Sequence, residues 1–228
     1  RSEQVDLIIV ATITPDMPFP STACLVQQKI GASRAAAFDI EAACSGFIFA
    51  LEIGQQFIMS RTYNTVLVIG AEKLSSIIDW QDRNTCVLFG DGAGAVLLTA
   101  EAGKGNTADR GILSTHLHAD GRQHDMLYVD GGVSTTQTAG HVRMKGKEVF
   151  RHAVVNLADT AREALVANNM TADQVDWLVP HQANRRILDS TVQKLGFDPN
   201  RMVVTVDQHA NTSAASIPLA LTLAVRDG

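Results

Sequence analysis

The sequence predicts an α/β fold of layered sheets and helices, and three observations lead there. Apolar runs and segments of helix-like apolar spacing alternate through the first hundred residues. The first of these runs lacks the strict alternation of a half-exposed sheet, which marks a strand buried on both faces. The order of elements then recurs later in the chain, as it does after a duplication.

Taken in order, "VDLIIVAT" (5–12) reads as a strand with no exposed face. Ser21, after Pro20, is placed to N-cap a helix "TACLVQQKI", which Gly31 ends. "AAAFDIE" is a short second strand, followed by a helix from about Cys44 to Ser60. "TVLVIGAE" (65–72) is another buried strand, and "TCVLFGDGAGAVLLTA" (85–100) reads as two strands around a glycine-rich bend. Residues 101–141 are polar, rich in Gly and Asp, and hold four of the seven histidines, so they are expected to form a surface excursion with one or two strands. A long helix is predicted over about Gly146 to Asn168, before "VDWLVPHQAN", "RRILDSTVQKLG", "MVVTVDQHAN" and "TSAASIPLALTLAV".

The later run answers to the earlier one. "VDLIIV" matches "VDWLVP", and "LVQQKIG" (25–31) matches "STVQKLG" (190–196). In each case a helix ends in Gln-Lys-apolar-Gly, a short strand follows, and small residues open another helix. Superposing Gly31 on Gly196 brings Cys44 within two residues of Asn211. The expected organisation is an N-terminal half (1–100), a connecting excursion (101–141) and a C-terminal half (142–228), related by pseudo-symmetry, with helix starts facing one central site.

Composition narrows the function classes. With 228 residues, 46% hydrophobic and 19% charged, the chain can bury a large core. Its mean hydropathy is +0.05. A net charge of -5 gives no overall affinity for nucleic acid, so any anionic partner must meet a local basic patch. No apolar run approaches the roughly 18 residues of a membrane-spanning helix. Three cysteines without scaffold spacing fit a reducing compartment, hence a cytoplasmic protein. The opening "RSEQVDLIIVAT" enters a strand directly and "AVRDG" ends at a helix terminus, so a longer parent protein is expected, which leaves a targeting segment open.

Cys44 stands where a strand ends and a helix begins, with Ala43, Ser45 and Gly46 leaving room for backbone and ligand. The amides and dipole of a helix N-terminus favour a thiolate, and the same amides can stabilise an oxyanion. A lone cysteine is also an ordinary core residue, and both readings stand for Cys44; Cys24 and Cys86 are read as core. His181 in "LVPHQANRRI" follows an apolar strand and Pro180, where it caps a helix or donates to a ligand. Asn211 in "VDQHANTSAAS" lies at another strand-to-helix junction, with His209 as the alternative. "FGDGAGA" lacks the helix and lysine of a phosphate loop and is read as close backbone packing. His116, His118 and His124 in "HLHADGRQH" have loose ligand spacing but no companion set, so no metal site is assigned.

Together, "DIEAACSGF", "FGDGAGAVLL", "DWLVPHQANRRI" and "HANTSAASIPLAL" resemble the signatures of the β-ketoacyl-[acyl-carrier-protein] synthase III family, over essentially the whole chain and in the family's order. The resemblance implies a thiolase-like αβαβα fold, here lacking an opening portion and a closing glycine-rich strand. It maps a catalytic triad onto Cys44, His181 and Asn211. It also implies decarboxylative condensation of a short acyl-CoA, such as acetyl-CoA, with malonyl-acyl-carrier-protein, through an acyl-Cys44 intermediate and with no cofactor. Asn rather than His at 211 points to the initiating type.

By the same resemblance, Arg83 and Asn84 of "DRNTC" contact coenzyme A, as do Asn184 and Arg186, while Phe150 and Ala153 form the channel wall. Asn84 stands where relatives often carry Gly. Phe19 of "MPFPS", Leu74 and Phe89 would line the acyl pocket, with Phe19 reaching across a homodimer. Arg151, Arg185, Arg186 and Lys194 form a basic stretch that is either a solvated helix face or a docking surface for the acidic carrier protein. Three rival readings are a related condensing or acyl-transfer enzyme of specialised metabolism, an inactive fragment, and a papain-like hydrolase. The hydrolase would share the Cys-His-Asn order, but "AACSGF" lacks its tryptophan signature.

Overall fold

The computed structural model describes residues 1–104 and 108–227; residues 105–107, inside the predicted excursion, and Gly228 lie outside the described residues. The chain forms two compact units from non-contiguous segments. One comprises Arg1–Glu72, Gly92–Thr115 and Thr212–Gly228; the other comprises Lys73–Asp91 and His116–Asn211. The halves read from the sequence are contiguous and describe the internal repeat rather than this partition.

The first unit is a sheet clothed by helices. Strand β1 (Leu7–Ala11) is buried along its whole length. It pairs in parallel with β2 (Ala36–Ile40) and with β3 (Thr65–Lys73), so that Leu7 lies between Ala36 and Val66. Strand β4 (Asp91–Thr99) completes the order β2-β1-β3-β4. Because side chains alternate, Leu7, Ile9, Val66 and Val68 share one core with Phe47 and Ala50, while Ile8 and Val10 share another with Ala23 and Val26. Burying Phe47, which is 1% exposed, contributes on the order of 2–3 kcal/mol.

Helix α1 (Thr22–Ile30) begins and ends as its sequence predicts. The Ser21 hydroxyl oxygen accepts from Cys24 N–H, and Asp39 on β2 accepts from the amides of Thr22 and Ala23 at 2.7 and 2.8 Å. Gly31 closes it in the left-handed region (φ 73°). Helix α2 (Gly46–Met59) follows β2 through a tight 3-10 turn over Ala43–Ser45. One strand, not two, follows the 85–88 turn. The glycines that suggested a bend lie inside β4, because Gly92 and Gly94 leave room for Leu219 and Pro218. Those two residues belong to helix α6 (Ser216–Asp227).

In the second unit a short hairpin, β5 (Leu127–Val129) with β6 (Val142–Met144), precedes the long helix α3 (Gly146–Ala167), which packs against α4 (Arg185–Leu195). Leu188, Val192, Phe197 and Met202 form its core. The strands expected at "VDWLVP" and "MVVTV" reduce to a single parallel bridge, with Leu178 N–H donating to Arg201 O and Val203 N–H donating to Leu178 O, each at 2.9 Å. Pro180 offers no N–H, and the Gln182 side chain takes backbone partners that a ladder would use.

The repeat is visible in backbone geometry. Gly196 closes α4 at φ 71°, as Gly31 closes α1. A residue at positive φ opens each 3-10 turn, Ala43 (45°) ahead of α2 and Ser213 (49°) ahead of α6. This pairing aligns Cys44 with Ala214, a few residues beyond the position that glycine superposition selects. Between His181 and α4 the chain is irregular, and Asn211 follows a four-residue helix, α5 (Val206–His209), rather than a strand.

Candidate functional site

Cys44 occupies the middle of the 3-10 turn that launches α2, in the first unit. Left-handed backbone at Ala43 costs of order 1–3 kcal/mol, and tight packing holds it there. A Cβ on Gly46 would sit 3.0 Å from Ala11 Cβ and 3.5 Å from Ala214 Cβ. The turn also packs on its repeat counterpart, Ser213–Ala215. That counterpart is seated on β3, since a Cβ on Gly70 would overlap the Ala214 carbonyl.

The electrostatics of the sulfur differ from the sequence expectation of a depressed pKa. Burial is the largest influence and pushes the Cys44 thiol up. The polar Ser213 side chain opposes it, while the negative charge of Glu72 reinforces it. Cys44 is half-buried as a residue. Position at a helix start is therefore not enough to ionise it.

Glu72 was absent from the sequence-predicted site. It is 5% exposed, at the end of β3, and accepts hydrogen bonds from the Thr14 hydroxyl (2.8 Å), the Ile13 amide (3.1 Å) and the Thr12 hydroxyl (3.4 Å). Burial raises its carboxyl above the ordinary range despite these donors. The sequence signal was an acidic residue closing an otherwise apolar strand, on the face occupied by Val66, Val68 and Gly70.

In the second unit, His181 sits on the segment between the Leu178 bridge and α4. Its pKa falls to about 4 because burial penalises the imidazolium, so the ring is neutral at pH 7. The neighbouring Gln182, 1% exposed, pins that segment. Its amide donates to Pro180 O (2.9 Å) and Val203 O (3.2 Å), and its carbonyl accepts from Thr205 N–H (2.8 Å). Sequence reading gave Gln182 no role of its own. Asn211, 7% exposed, is held by its backbone, donating to Leu88 O at 2.9 Å and accepting from Gly90 N–H at 3.0 Å. A Cβ on Gly90 would come within 2.9 Å of His209 O, which accounts for glycine there.

The remaining predicted residues fall into three groups. Arg83 and Asn84 are exposed, and Asp82 holds the Asn84 amide at 3.0 Å and the Thr85 hydroxyl at 2.9 Å. Asn184 N-caps α4, its carbonyl accepting from Ile187 N–H at 3.0 Å, and Arg186 lies over the Phe150 ring at 5.5 Å. Ala153 is half-buried on α3. Arg185 pairs with Asp189 at 2.8 Å, while Arg151 and Lys194 are exposed. Leu74 is buried at 1%, Phe89 is half-buried, and Phe19 is 83% exposed beside the cis Phe19–Pro20 peptide. His116 and His118 both contact Glu163, at 3.2 and 2.6 Å. Among the described residues no group of three or more His, Cys, Asp or Glu is arranged to hold a metal, and no helix is long and apolar enough to cross a membrane.

The chain is similar to known proteins in sequence and fold. The profile of the 3-oxoacyl-[acyl-carrier-protein (ACP)] synthase III family matches residues 38–121, and that of its C-terminal region matches 165–228. The beta-ketoacyl-[acyl-carrier-protein] synthase III of Rhodospirillum centenum is 65% identical over 227 residues, covering 100% of this chain and 70% of the relative. That of Paramagnetospirillum magneticum is 64% identical over 224 residues, 98% of this chain and 69% of the relative. The crystal structure of 3-oxoacyl-[acyl-carrier-protein] synthase III from Aquifex aeolicus VF5 superposes with a TM-score of 0.92 at 47% identity, covering 100% of this chain and 70% of that one. The thiolase-like layered α/β fold expected from the motifs is thus the fold of this chain. Profile, sequence and fold point the same way, and the chain belongs to the 3-oxoacyl-[acyl-carrier-protein] synthase III family.

Proposed function

We propose that this protein is a condensing acyltransferase that joins a short acyl primer, carried on coenzyme A, to malonyl-acyl-carrier-protein and so starts fatty-acid synthesis. Membership of the synthase III family supports the reaction class. The observation that carries the residue assignment is Cys44 on the constrained turn that launches α2. Its sulfur attacks the acyl thioester, the C–S bond to coenzyme A breaks, and coenzyme A leaves as a thiol, so one condensation becomes two easier steps. Malonyl thioester then loses carbon dioxide, and the resulting carbanion attacks acyl-Cys44, which is released as a thiol.

His181 and Asn211 act as hydrogen-bond donors to the enolate oxygen. A neutral imidazole, as the buried His181 ring is at pH 7, donates without delivering a proton that would quench the carbanion. Arg83, Asn84, Asn184, Arg186, Phe150 and Ala153 bind coenzyme A. In this reading the Asn184 carbonyl caps α4 and its NH2 group serves the ligand. Phe19, Leu74 and Phe89 shape the acyl pocket, and Arg151, Arg185, Arg186 and Lys194 receive the acidic carrier protein. The protein works as a cytoplasmic homodimer, its three cysteines free and the exposed Phe19 offered to the second copy, with no cofactor beyond its thioester substrates.

Incubation with acetyl-CoA followed by peptide mass spectrometry tests this reading. The acyl mass is expected on the peptide containing Cys44 and is lost in Cys44→Ala. An unlabelled Cys44 peptide, or equal labelling of the variant, rules the assignment out. Adding malonyl-acyl-carrier-protein with a series of primers should release β-ketoacyl product and reveal the preferred chain length.

A further inference from the structure

We propose that Glu72 is a positioning residue for primer selection: it fixes one foot of the exposed 15–20 loop and so sets where Phe19 stands. This role rests on the reading of Phe19 as a wall of the acyl pocket and adds the group that places it. The loop begins where the ladder of β1 with β2 stops, at the Thr12 amide, which donates to Ile40 O at 3.1 Å. The next polar groups of the chain then converge on Glu72, 5% exposed at the end of β3. Its Oε2 accepts from the Thr14 hydroxyl at 2.8 Å and the Thr12 hydroxyl at 3.4 Å, and the Ile13 amide lies 3.1 Å from Oε2 and 3.3 Å from Oε1. Thr12 Oγ1 in turn accepts from the Thr14 amide at 3.0 Å, which closes the turn. Three successive residues are thus tied to one distant side chain.

A second carboxylate holds the other foot. Asp39 on β2 accepts from the Thr22 and Ala23 amides at 2.7 and 2.8 Å, and the Asp16 amide donates to the Thr22 hydroxyl at 3.2 Å. Residues 15–20 between the two feet are all exposed. Pro15, Pro18 and Pro20 each fix a φ angle, so the loop has little freedom to absorb a displaced foot. Its tip is apolar, with Phe19 83% and Met17 42% exposed. Burying a carboxyl at the end of β3 is costly, and an apolar residue would close that strand with less penalty. What Glu72 supplies is two acceptor oxygens for donors that the turn faces inward. Because the Ile13 N–H faces both oxygens, a glutamine in either orientation would set its NH2 against that amide.

The test is kcat/KM for hexanoyl-CoA relative to acetyl-CoA, each with malonyl-acyl-carrier-protein. This ratio cancels changes in the Cys44 sulfur and in the folded fraction, which both primers share. Glu72→Gln is expected to raise it about tenfold, the scale of one methylene's fit in an apolar pocket. Thr14→Val removes the hydroxyl at similar volume and should raise it less. The double variant should fall short of the product of the two single shifts, because both act at one contact. Phe19→Ala should raise the ratio as well. An unmoved ratio in Phe19→Ala overturns the role of Glu72 together with the acyl-pocket reading beneath it. A raised ratio there, with unmoved ratios in Glu72→Gln and Thr14→Val, overturns the role of Glu72 alone. A double variant that reaches the full product overturns it too, since the two residues would then act separately. If Glu72→Gln fails to fold by circular dichroism, Thr14→Val decides, and an unmoved ratio there is fatal to the role.

Discussion

Burial acts on Cys44 and on His181 in the same direction, toward the uncharged side chain. For the imidazole this suits the role proposed for it, because a neutral ring can donate to an oxyanion without giving up its proton. For the thiol it opposes reactivity, and the fold adds Glu72, which opposes it further, and Ser213, which relieves it. The supports differ as well. The Cys44 turn is braced by backbone contacts and small residues, with Gly46 on Ala11 and Gly70 under Ala214. The His181 segment is braced by one side chain, Gln182, standing in for a missing ladder. A turn held by steric fit tolerates no added atom, whereas a segment held by hydrogen bonds tolerates no lost polar group.

Four substitutions or conditions probe this contrast. Gly70→Ala should have the largest effect, destabilising by about 3 kcal/mol or more, since its Cβ overlaps backbone rather than a movable side chain. Urea denaturation would measure it, and a near-neutral result would show that the Cys44 turn is less tightly seated than the contacts imply. Second comes acid. His181 has a folded pKa of about 4 against an ordinary 6.5, so the unfolded chain takes the proton first and stability is lost as pH falls from 6.5 toward 4, by at most about 3 kcal/mol. The slope of stability against pH in that window should flatten in His181→Gln.

Gln182→Ala should cost about 2 kcal/mol, because it strands the Thr205 amide and two carbonyls in the interior. Under the proposed function it should also lower condensation more than acyl labelling of Cys44, since it disturbs the His181 segment and not the Cys44 turn. Equal losses in the two assays would erase the distinction. Asn184→Ala should be mildest, about 1 kcal/mol for the lost N-cap of α4, read as a small shift in Tm. An added rise in KM for acyl-CoA would support its proposed ligand contact.

Much of the frame was legible in the residues. Ser21 and Gly31 bound α1 as their chemistry requires, and the apolar run at 7–11 is a fully buried strand. Gly196 repeats the left-handed ending of Gly31, so the internal repeat was legible too. The glycines of "FGDGAGA" were read as close packing, which α6 on Gly92 and Gly94 bears out, although the bend expected there is a straight strand. Local sequence cannot separate those two outcomes, because a glycine needed for a turn and one needed for an approaching helix look alike. The strands expected around His181 failed for a similar reason: apolar character predicts burial, and Gln182 decides which hydrogen bonds that burial uses.

The sequence by itself determined the first three strands with their two helices, the repeat and the motif residues Cys44, His181 and Asn211, because caps, periodicity and short motifs are local properties of a chain. Only the tertiary structure decided the ionisation of Cys44 and His181 and the identity of their supports. Glu72, Ser213 and Cys44 lie far apart in sequence and meet through β3 and two facing turns. A pKa is set by what surrounds a group in space, by the water removed and the charges and donors brought near, and that neighbourhood exists only after folding.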